Sequence, residues 1–291
     1  MHLLSIYAAP CRSGIISIEH IENMSPRPAS FSSPAGGGGA ERSEAEGVSP
    51  ANAGAAPSVS FADSSPAGGG ARTFAGKLAV MATQPLHEIG PAGAGFEAAA
   101  LGFTLALAAK WAGPAGVFWA GEDAAFAEEG APYPVGLAQY GLPLDRLVVA
   151  RARKREDALW AAEQALAATG AIVICTLGAQ GKPLDLKASR RLLLFAERYA
   201  SRCLLLMPEN GPSAAWTRWR VAPAESDAAP DELGLPAFRA ELTRNRGGPA
   251  GASFTVEWNA HERCFAEREM ARALSAADTD GSSDPRRTWA V

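Results

Sequence analysis

The sequence predicts an α/β fold with a mostly parallel sheet, helices on both faces and antiparallel edge strands near the C-terminus. Short apolar runs alternate with helix-like segments between residues 86 and 207, which is the pattern of strand–helix–strand units with right-handed crossovers. The run Ala171–Cys175 is continuously apolar, as expected of a central parallel strand buried on both faces. After Pro208 the pattern changes to the alternation typical of half-buried antiparallel strands.

Each predicted element has local signals. Gly113-Pro114 ends the first long helix, Gly170 ends the second, and Asp185 can cap the third. The predicted helices are Gly95–Trp111, a short one ending near Gly141, Asp157–Thr169 and Asp185–Tyr199. The predicted parallel strands are Leu86–Ile89, Gly116–Ala120, Leu147–Ala150, Ala171–Cys175 and Leu204–Met207. The predicted antiparallel strands are Trp216–Ala222, Phe238–Thr243 and Ser253–Trp258.

Composition divides the chain into three parts. Residues 1–72 are predicted to be a disordered low-complexity tail, because Ser25–Ala71 offers little apolar surface to offset its conformational entropy. A wrongly assigned start codon would explain the same segment. Residues 73–260 are predicted to form the folded domain. Residues 261–291 are predicted to hold a short helix, Phe265–Ala277, and a flexible C-terminal tail.

The totals exclude several classes of function. The 291-residue chain has a formal net charge of −4 and a pI of about 5.7, so no global basic excess marks a nucleic-acid-binding protein. The cysteines are widely spaced without a metal-binding pattern, and Cys175 and Cys203 lie in apolar runs, which fits a reducing cytoplasm. No apolar run is long enough to cross a membrane. We therefore expect a cytoplasmic protein with neither a metal site nor a membrane contact.

The segment from residue 86 to residue 97 has the layout of a phosphate-binding loop between a strand and a helix. Gly90 and Gly95 stand at the spacing of the motif G-x-x-x-x-G-K-[ST], and Gly93 lies between them. Phe96 replaces the lysine that neutralises phosphates, and Glu97 replaces the hydroxyl that holds Mg²⁺. We therefore predict a degenerate nucleotide loop with no cofactor and no nucleotide hydrolysis. A strand–turn–helix unit without nucleotide ancestry is the alternative.

Two further positions bear on nucleotide chemistry. The strand that should end in a magnesium-binding acid carries Cys175 there, and a thiol is a poor ligand for this ion. Glu122 and Asp123 follow another strand, where a water-activating carboxylate could stand. Without a phosphate-binding lysine such a base has nothing to act on, so we interpret the two acids as a solvated loop pair.

The order of these features resembles the RecA core, and within RecA relatives it is most similar to the ImuA family, also described as SulA-like. The resemblance covers about Leu86 to Trp258. Each motif is weak alone, but six in the same order are fairly specific. The motifs are Leu86–Gly90, Tyr140–Arg146, Ala152–Trp160, Ala188–Leu192, Thr217–Val221 and Leu242–Gly248.

The resemblance implies a function. A degenerate loop is usual in that family, whose members are accessory proteins of SOS-induced, error-prone translesion DNA synthesis. The implied partners are RecA, an ImuB-like inactive Y-family polymerase and a DnaE2-type polymerase. An active NTPase with an unusual phosphate site and a SulA-like cell-division inhibitor are the alternatives, although nothing in the sequence specifies a cell-division partner.

Basic residues form local groups that are candidates for contacts with a partner or with DNA. Arg151, Arg153, Lys154 and Arg155 make one run, and Arg244 and Arg246 belong to another group. In RecA, basic residues near the positions of the second group reach the nucleotide across the subunit interface. The resemblance thus implies a partner contact there. Solvated faces and internal ion pairs are the alternative.

Overall fold

A computed structural model describes residues 16–18, for which only the backbone is described, together with residues 73–180, 183–208, 211–229 and 231–268. The strands are β1 Ile16–Ile18, β2 Leu86–Pro91, β3 Val117–Glu122, β4 Leu147–Ala152, β5 Ile172–Thr176, β6 Arg202–Leu206, β7 Thr217–Pro223, β8 Ala237–Asn245, β9 Ala252–Asn259 and β10 Cys264–Arg268. The helices are α1 Phe74–Met81, α2 Glu97–Trp111, α3 Asp123–Glu129, α4 Pro134–Gln139, α5 Arg155–Leu166 and α6 Leu186–Arg198, with a 3-10 turn at Leu144–Arg146.

The described strands form one sheet in the order β1-β4-β3-β5-β6-β2-β7-β8-β9-β10. All neighbours from β1 to β7 are parallel, and the pairs from β7 to β10 are antiparallel. The predicted RecA-like α/β class, with antiparallel strands near the C-terminus, is confirmed. The strand predicted at Trp216–Ala222 differs in one respect, because β7 runs parallel to β2 and is antiparallel only to β8. The connection after β6 returns the chain to the edge where β2 begins, and this sets the direction of β7.

The two ends of the described chain correct the predicted domain boundaries. Ile16–Ile18 pairs with β4, so the prediction of disorder is wrong for these three residues, and the rest of residues 1–72 lies outside the described chain. The predicted helix from Phe265 is also wrong, because Cys264–Arg268 is a strand. In the turn between β9 and β10, the Asn259 side chain accepts hydrogen bonds from the amides of His261 and Glu262. The resulting hairpin brings Phe265 opposite Trp258. Residues 269–291, including the predicted tail, lie outside the description.

Helices cover both faces of the sheet, as predicted. On one face α1 and α2 pack over an aromatic core, and on the other α5 and α6 pack over an aliphatic one. Helix α2 is rich in alanine and buries ten of its residues, so its backbone can approach the strands closely. Among the described residues, no helix is both long enough and apolar enough to span a bilayer.

Helix α1, which no sequence pattern predicts, anchors the aromatic core. The Thr73 side chain accepts a hydrogen bond from the Gly76 amide at the helix start. Phe74 is 1% exposed. Its ring centroid lies 5.2–6.1 Å from those of Phe103, Trp219, Phe254 and Phe265. The first residue of α1 therefore ties helix α2 to the antiparallel strands.

We expect Phe74→Ala to lower the free energy of unfolding by about 3–5 kcal/mol, because it leaves a cavity between four aromatic rings. Urea denaturation followed by tryptophan fluorescence measures this loss. Val80→Ala in the same helix is the control, since Val80 is 47% exposed, and it should change stability by less than about 0.5 kcal/mol. Equal effects of the two substitutions would show that α1 does not anchor the core.

Candidate functional site

The carboxyl ends of the parallel strands meet at one edge of the sheet, where ligands of open α/β folds usually bind. A groove of about 620 Å³ lies at this edge. It is bordered by the start of α2, the end of α3 and the connections that come after β5 and β6. The residues that line it include Gly95, Glu97, Leu101, Leu105, Glu128, Glu129 and Tyr140. We call it the acidic groove, for its three glutamates.

The loop that precedes the acidic groove is partly absorbed into the sheet. Strand β2 continues through Gly90 and Pro91, which pair with Arg220 and Val221 of β7. The next amide, that of Ala92, donates a hydrogen bond to the Val221 carbonyl at 2.8 Å. The predicted strand ended at Ile89, with Gly90 as the first loop residue, so this boundary is wrong by two residues. Two backbone amides of the segment that would surround a phosphate, those of Ala92 and Phe96, are bonded within the protein.

The two glycines at motif spacing have structural reasons that involve no nucleotide. A β-carbon on Gly90 would lie 2.3 Å from Arg220 Nη1 and 2.5 Å from the Met207 carbonyl oxygen. Gly90 is therefore required for close packing of the backbone. Gly95 has a φ of +85° with nothing within 4 Å of a β-carbon, so it is required by the turn. Gly93 has neither constraint.

A half-buried arginine, Arg220, lies against this loop. Its Nη1 donates hydrogen bonds to the carbonyls of Pro91 and Pro208, each at 3.3 Å. The sequence predicts Arg220 to belong to the same basic group as Arg244 and Arg246, as a candidate contact for a partner or DNA, and not to lie beside this loop. The alternation of residues in β7 indicates which side chains share a face, but pairing of β7 with β2 was needed to place this one beside Gly90.

The residues that replace the motif's lysine and hydroxyl lie at the start of α2. Phe96 precedes the helix, and its amide donates to the Gly93 carbonyl at 3.3 Å. Glu97 is the first residue of α2 and lines the acidic groove. A helix N-terminus attracts anions, and here the carboxylate of the chain itself occupies that position.

Two further carboxylates come from α3, a helix that replaces the loop predicted after β3. Glu128 and Glu129 end this helix and face the acidic groove. Burial, followed by the charges of Glu97 and Glu128, raises the pKa of Glu129 to about 7. The sequence did contain a signal, because Asp123 at the first helical turn and Gly130 directly after the helix are start and stop residues. The three carboxylates of the acidic groove therefore come from two helices, α2 and α3.

The structure contradicts the interpretation of Glu122 and Asp123 as a solvated loop pair. Glu122 is buried, and its carboxylate pairs with Arg155 at 3.2 Å and accepts a hydrogen bond from the Gly178 amide at 2.6 Å. Asp123 begins α3 and pairs with Arg151 at 3.1 Å. Helix α5 begins beside β3, and this brings the acids and the arginines together. These carboxylates therefore join strand ends to each other.

Cys175 lies inside β5 and is fully buried. Burial, with a smaller contribution from the charge of Glu122, raises the pKa of its thiol to about 12. The thiol is thus neutral and does not face the groove edge as a ligand. In the part of the chain that the structure describes, no group of three or more histidine, cysteine, aspartate or glutamate residues could hold a metal ion.

The basic candidates lie at two different ends of the strands. Arg155 also donates to the carbonyls of Gly178 and Gln180, at 2.6 and 2.9 Å, and its side chain is 12% exposed. We therefore assign Arg155 to the fold, together with Arg151, whose guanidinium also lies 5.5 Å from the Phe126 ring centre. Arg153 and Lys154 are exposed. They stay predicted contact residues for a partner or for DNA.

Arg244 and Arg246 lie level with the beginning of β2, whereas the loop comes after its end. Arg244 is half-buried and donates to the Ser213 carbonyl at 2.8 Å. Arg246 is exposed, and its amide bonds to the Trp216 carbonyl. The two predicted basic groups are thus not brought together into one surface, and Arg246 is the more accessible of this pair.

Taken together, the strand order and the altered loop define a RecA-like α/β domain with three glutamates in the groove at the carboxyl ends of its strands. Protein ImuA from each of two strains of Caulobacter vibrioides is 37% identical over 130 residues, which cover 40% of this chain and 52% of that protein. This similarity supports membership of the ImuA family and confirms the resemblance found in the sequence. The chain spans about half the length of the curated relatives it matches.

Two other comparisons add no support for the family assignment. No family model matches the chain. The crystal structure of the RadB recombinase aligns with a TM-score of 0.42 and 14% identity, covering 64% of this chain and 91% of that one. At this level of similarity, we rest the fold assignment on the strand order of the chain itself.

We expect Gly90→Ala to destabilise the protein by about 1–3 kcal/mol, because the Met207 carbonyl cannot move without displacing backbone. Gly93→Ala is the matched control in the same segment, since its β-carbon would make only ordinary contacts, and it should cost less than about 0.5 kcal/mol. Urea unfolding of both variants makes the comparison. If Gly90→Ala is as stable as Gly93→Ala, close packing does not explain the first motif glycine.

A pH series tests the environment of Glu129. Its pKa of about 7 lies above the ordinary 4.5, so the folded state binds the proton more tightly than the unfolded state. The contribution of Glu129 to stability should therefore fall as pH rises from about 4.5 to 7 and stay lowered above that window. Glu129→Gln should match wild type near pH 4.5 and exceed its melting temperature at pH 8. Glu232→Gln, an exposed acid outside the groove, is the control. A constant difference across the pH range would contradict this environment.

Proposed function

We propose that this chain is a non-catalytic, RecA-like accessory protein of an SOS-induced, error-prone translesion synthesis complex, acting through protein–protein contacts. One observation carries the non-catalytic part of the proposal. The groove at the nucleotide position is lined by three carboxylates, and strand pairing extends into the beginning of the loop beside it, through Gly90 and Pro91. The family similarity supports the role in mutagenesis.

Electrostatics explain why the groove is unsuited to nucleotide phosphates. Two like charges about 6 Å apart repel by about 3 kcal/mol at an effective dielectric constant of 20. A triphosphate carries several negative charges and would face Glu97, Glu128 and Glu129 without the motif lysine. Mg²⁺ would also lack the hydroxyl that normally holds it. These facts favour an adaptor over an NTPase.

The proposed partners are those that the family resemblance implies: RecA, an ImuB-like inactive Y-family polymerase and a DnaE2-type polymerase. Because the matched segment is about half of the curated relatives, these partners are proposals for this chain. Direct DNA contact is a further proposal, and the exposed Arg153, Lys154 and Arg246 are the residues that would make it.

The genetic test is damage-induced mutagenesis in a strain from which the gene has been deleted. We expect the deletion to reduce ultraviolet-induced mutation to the uninduced level, and the wild-type gene to restore it. Normal induced mutagenesis in the deletion strain would contradict the proposed function. Normal mutagenesis with a changed frequency of filamentous cells would instead favour the cell-division inhibitor.

The biochemical test asks whether nucleotide controls partner binding. The immobilised full chain should capture the ImuB-like polymerase to the same extent without nucleotide, with Mg-ADP and with Mg-ATP. The reason is that the three carboxylates of the acidic groove disfavour phosphate binding. This polymerase is the better first partner, since RecA itself binds ATP. Capture that requires Mg-ATP would contradict a nucleotide-independent adaptor.

A further inference from the structure

The acidic groove combines an apolar wall with unbalanced negative charge. Leu101 and Leu105 of α2 supply apolar lining, whereas Glu97, Glu128 and Glu129 supply the carboxylates. Burial and the two neighbouring glutamates all raise the pKa of Glu129, and no basic group acts against them. In the described part of the chain, no ion pair joins these three glutamates to an arginine or lysine. Within the described residues, the groove therefore has negative charge that no ion pair balances.

Exposed apolar side chains come directly after the acidic helix end. Tyr133 is 67% exposed and Val135 is 52% exposed, and both belong to the segment that leads from α3 into α4. Tyrosine and other aromatic residues are enriched among the anchors of protein interfaces, since they offer contact area at low entropic cost. An exposed apolar pair that follows the acidic helix end in the chain fits the composition expected of a binding surface with an apolar and a polar part.

We propose that the acidic groove binds an arginine or lysine side chain from an extended segment of a partner protein, and that apolar neighbours of that residue pack on Tyr133 and Val135. This inference deepens the proposed adaptor function and rests on it. Charge complementarity selects the occupant, because carboxylates only accept hydrogen bonds whereas arginine and lysine only donate them. The apolar wall formed by Leu101 and Leu105 suits the methylene stem of either side chain.

Other occupants fit the observations less well. Nucleic acid and nucleotides carry the same sign of charge as the groove. The described acids do not converge into a set that could hold a metal ion. The tail of this chain contains Arg286, Arg287 and Trp289, so occupation by the tail is one outcome that the experiment must separate.

Binding should strengthen with pH. The titratable groups that line the groove are Glu97, Glu128, Glu129 and Tyr140. Burial raises the pKa of Tyr140, so its hydroxyl stays neutral at physiological pH. Glu129 loses its proton near pH 7, which adds one negative charge to the groove. A bound cation should in turn lower the pKa of Glu129.

The test is an NMR titration of the ¹⁵N-labelled full chain with two probe peptides, acetyl-Leu-Arg-Leu-amide and acetyl-Leu-Gln-Leu-amide. We expect saturable shifts at the Gly95 and Gly102 amides with the arginine peptide and not with the glutamine peptide. A single anchored side chain should bind in the millimolar range. Affinity should be higher at pH 8 than at pH 5.5.

Two charge-matched triple variants complete the design. The triple variant with Glu97→Gln, Glu128→Gln and Glu129→Gln should bind the arginine peptide about fivefold or more weakly than wild type. The control replaces Glu197, Glu232 and Glu241, which are exposed and outside the groove, and should bind as wild type. Equal binding of the two peptides, or equal loss in both triple variants, would overturn the proposal. Deletion of residues 284–291 tests occupation by the tail. If this deletion changes the chemical shifts of the groove amides while the peptide leaves them unchanged, the tail is the occupant and the proposal is wrong.

The outcome is separable from that of the proposed function. If the arginine peptide does not bind and the deletion strain still loses induced mutagenesis, only the inference about the groove fails. If the peptide binds and induced mutagenesis is normal in the deletion strain, the proposed function fails while the groove remains a cation-binding surface.

Discussion

The rest of the site depends on the pairing of β2 with β7 through Gly90 and Pro91, two residues beyond the predicted end of β2. The ladder continues to Pro91 and fixes the Ala92 amide on Val221, so the beginning of the segment that could form a phosphate cradle is held as sheet. It also sets Arg220 against Gly90. The remaining link to α2 is then only a tight turn at Gly95, with Glu97 at the helix start. The acidic groove is a consequence of this closure together with the glutamates of α3.

Protein groups hold the strand ends together along the same edge. The Arg155 guanidinium joins Glu122 of β3 to the carbonyls of Gly178 and Gln180, which come after β5. An ion pair this buried needs several hydrogen bonds to offset desolvation, and Glu122 has a further one from the Gly178 amide. The strand ends at this edge are therefore held together by side chains and backbone groups of the protein itself.

The parallel core could be predicted because buried runs such as Ala171–Cys175 have no other stable environment. The direction of β7 could not, since it depends on how the chain returns after β6. Helix α3 was missed although its start and stop residues were present, because the acids were interpreted as loop residues. The identities of Gly90 and Gly95 were recognised, but a motif cannot tell a glycine needed for phosphate from one needed for contact with Met207 and Arg220. Glu128 and Glu129 belong to no motif and required the fold.

We propose that the nucleotide position of this RecA-like domain does not accept a nucleotide. Isothermal titration of the full chain with Mg-ATP, and with ATP in EDTA, tests it most directly. We predict no saturable heat at ligand concentrations up to the millimolar range, because three carboxylates line the groove and Phe96 stands where the motif has lysine. Saturable binding with a dissociation constant in the micromolar range, abolished when Arg220 is replaced by methionine, would contradict it and would make Arg220 a phosphate ligand.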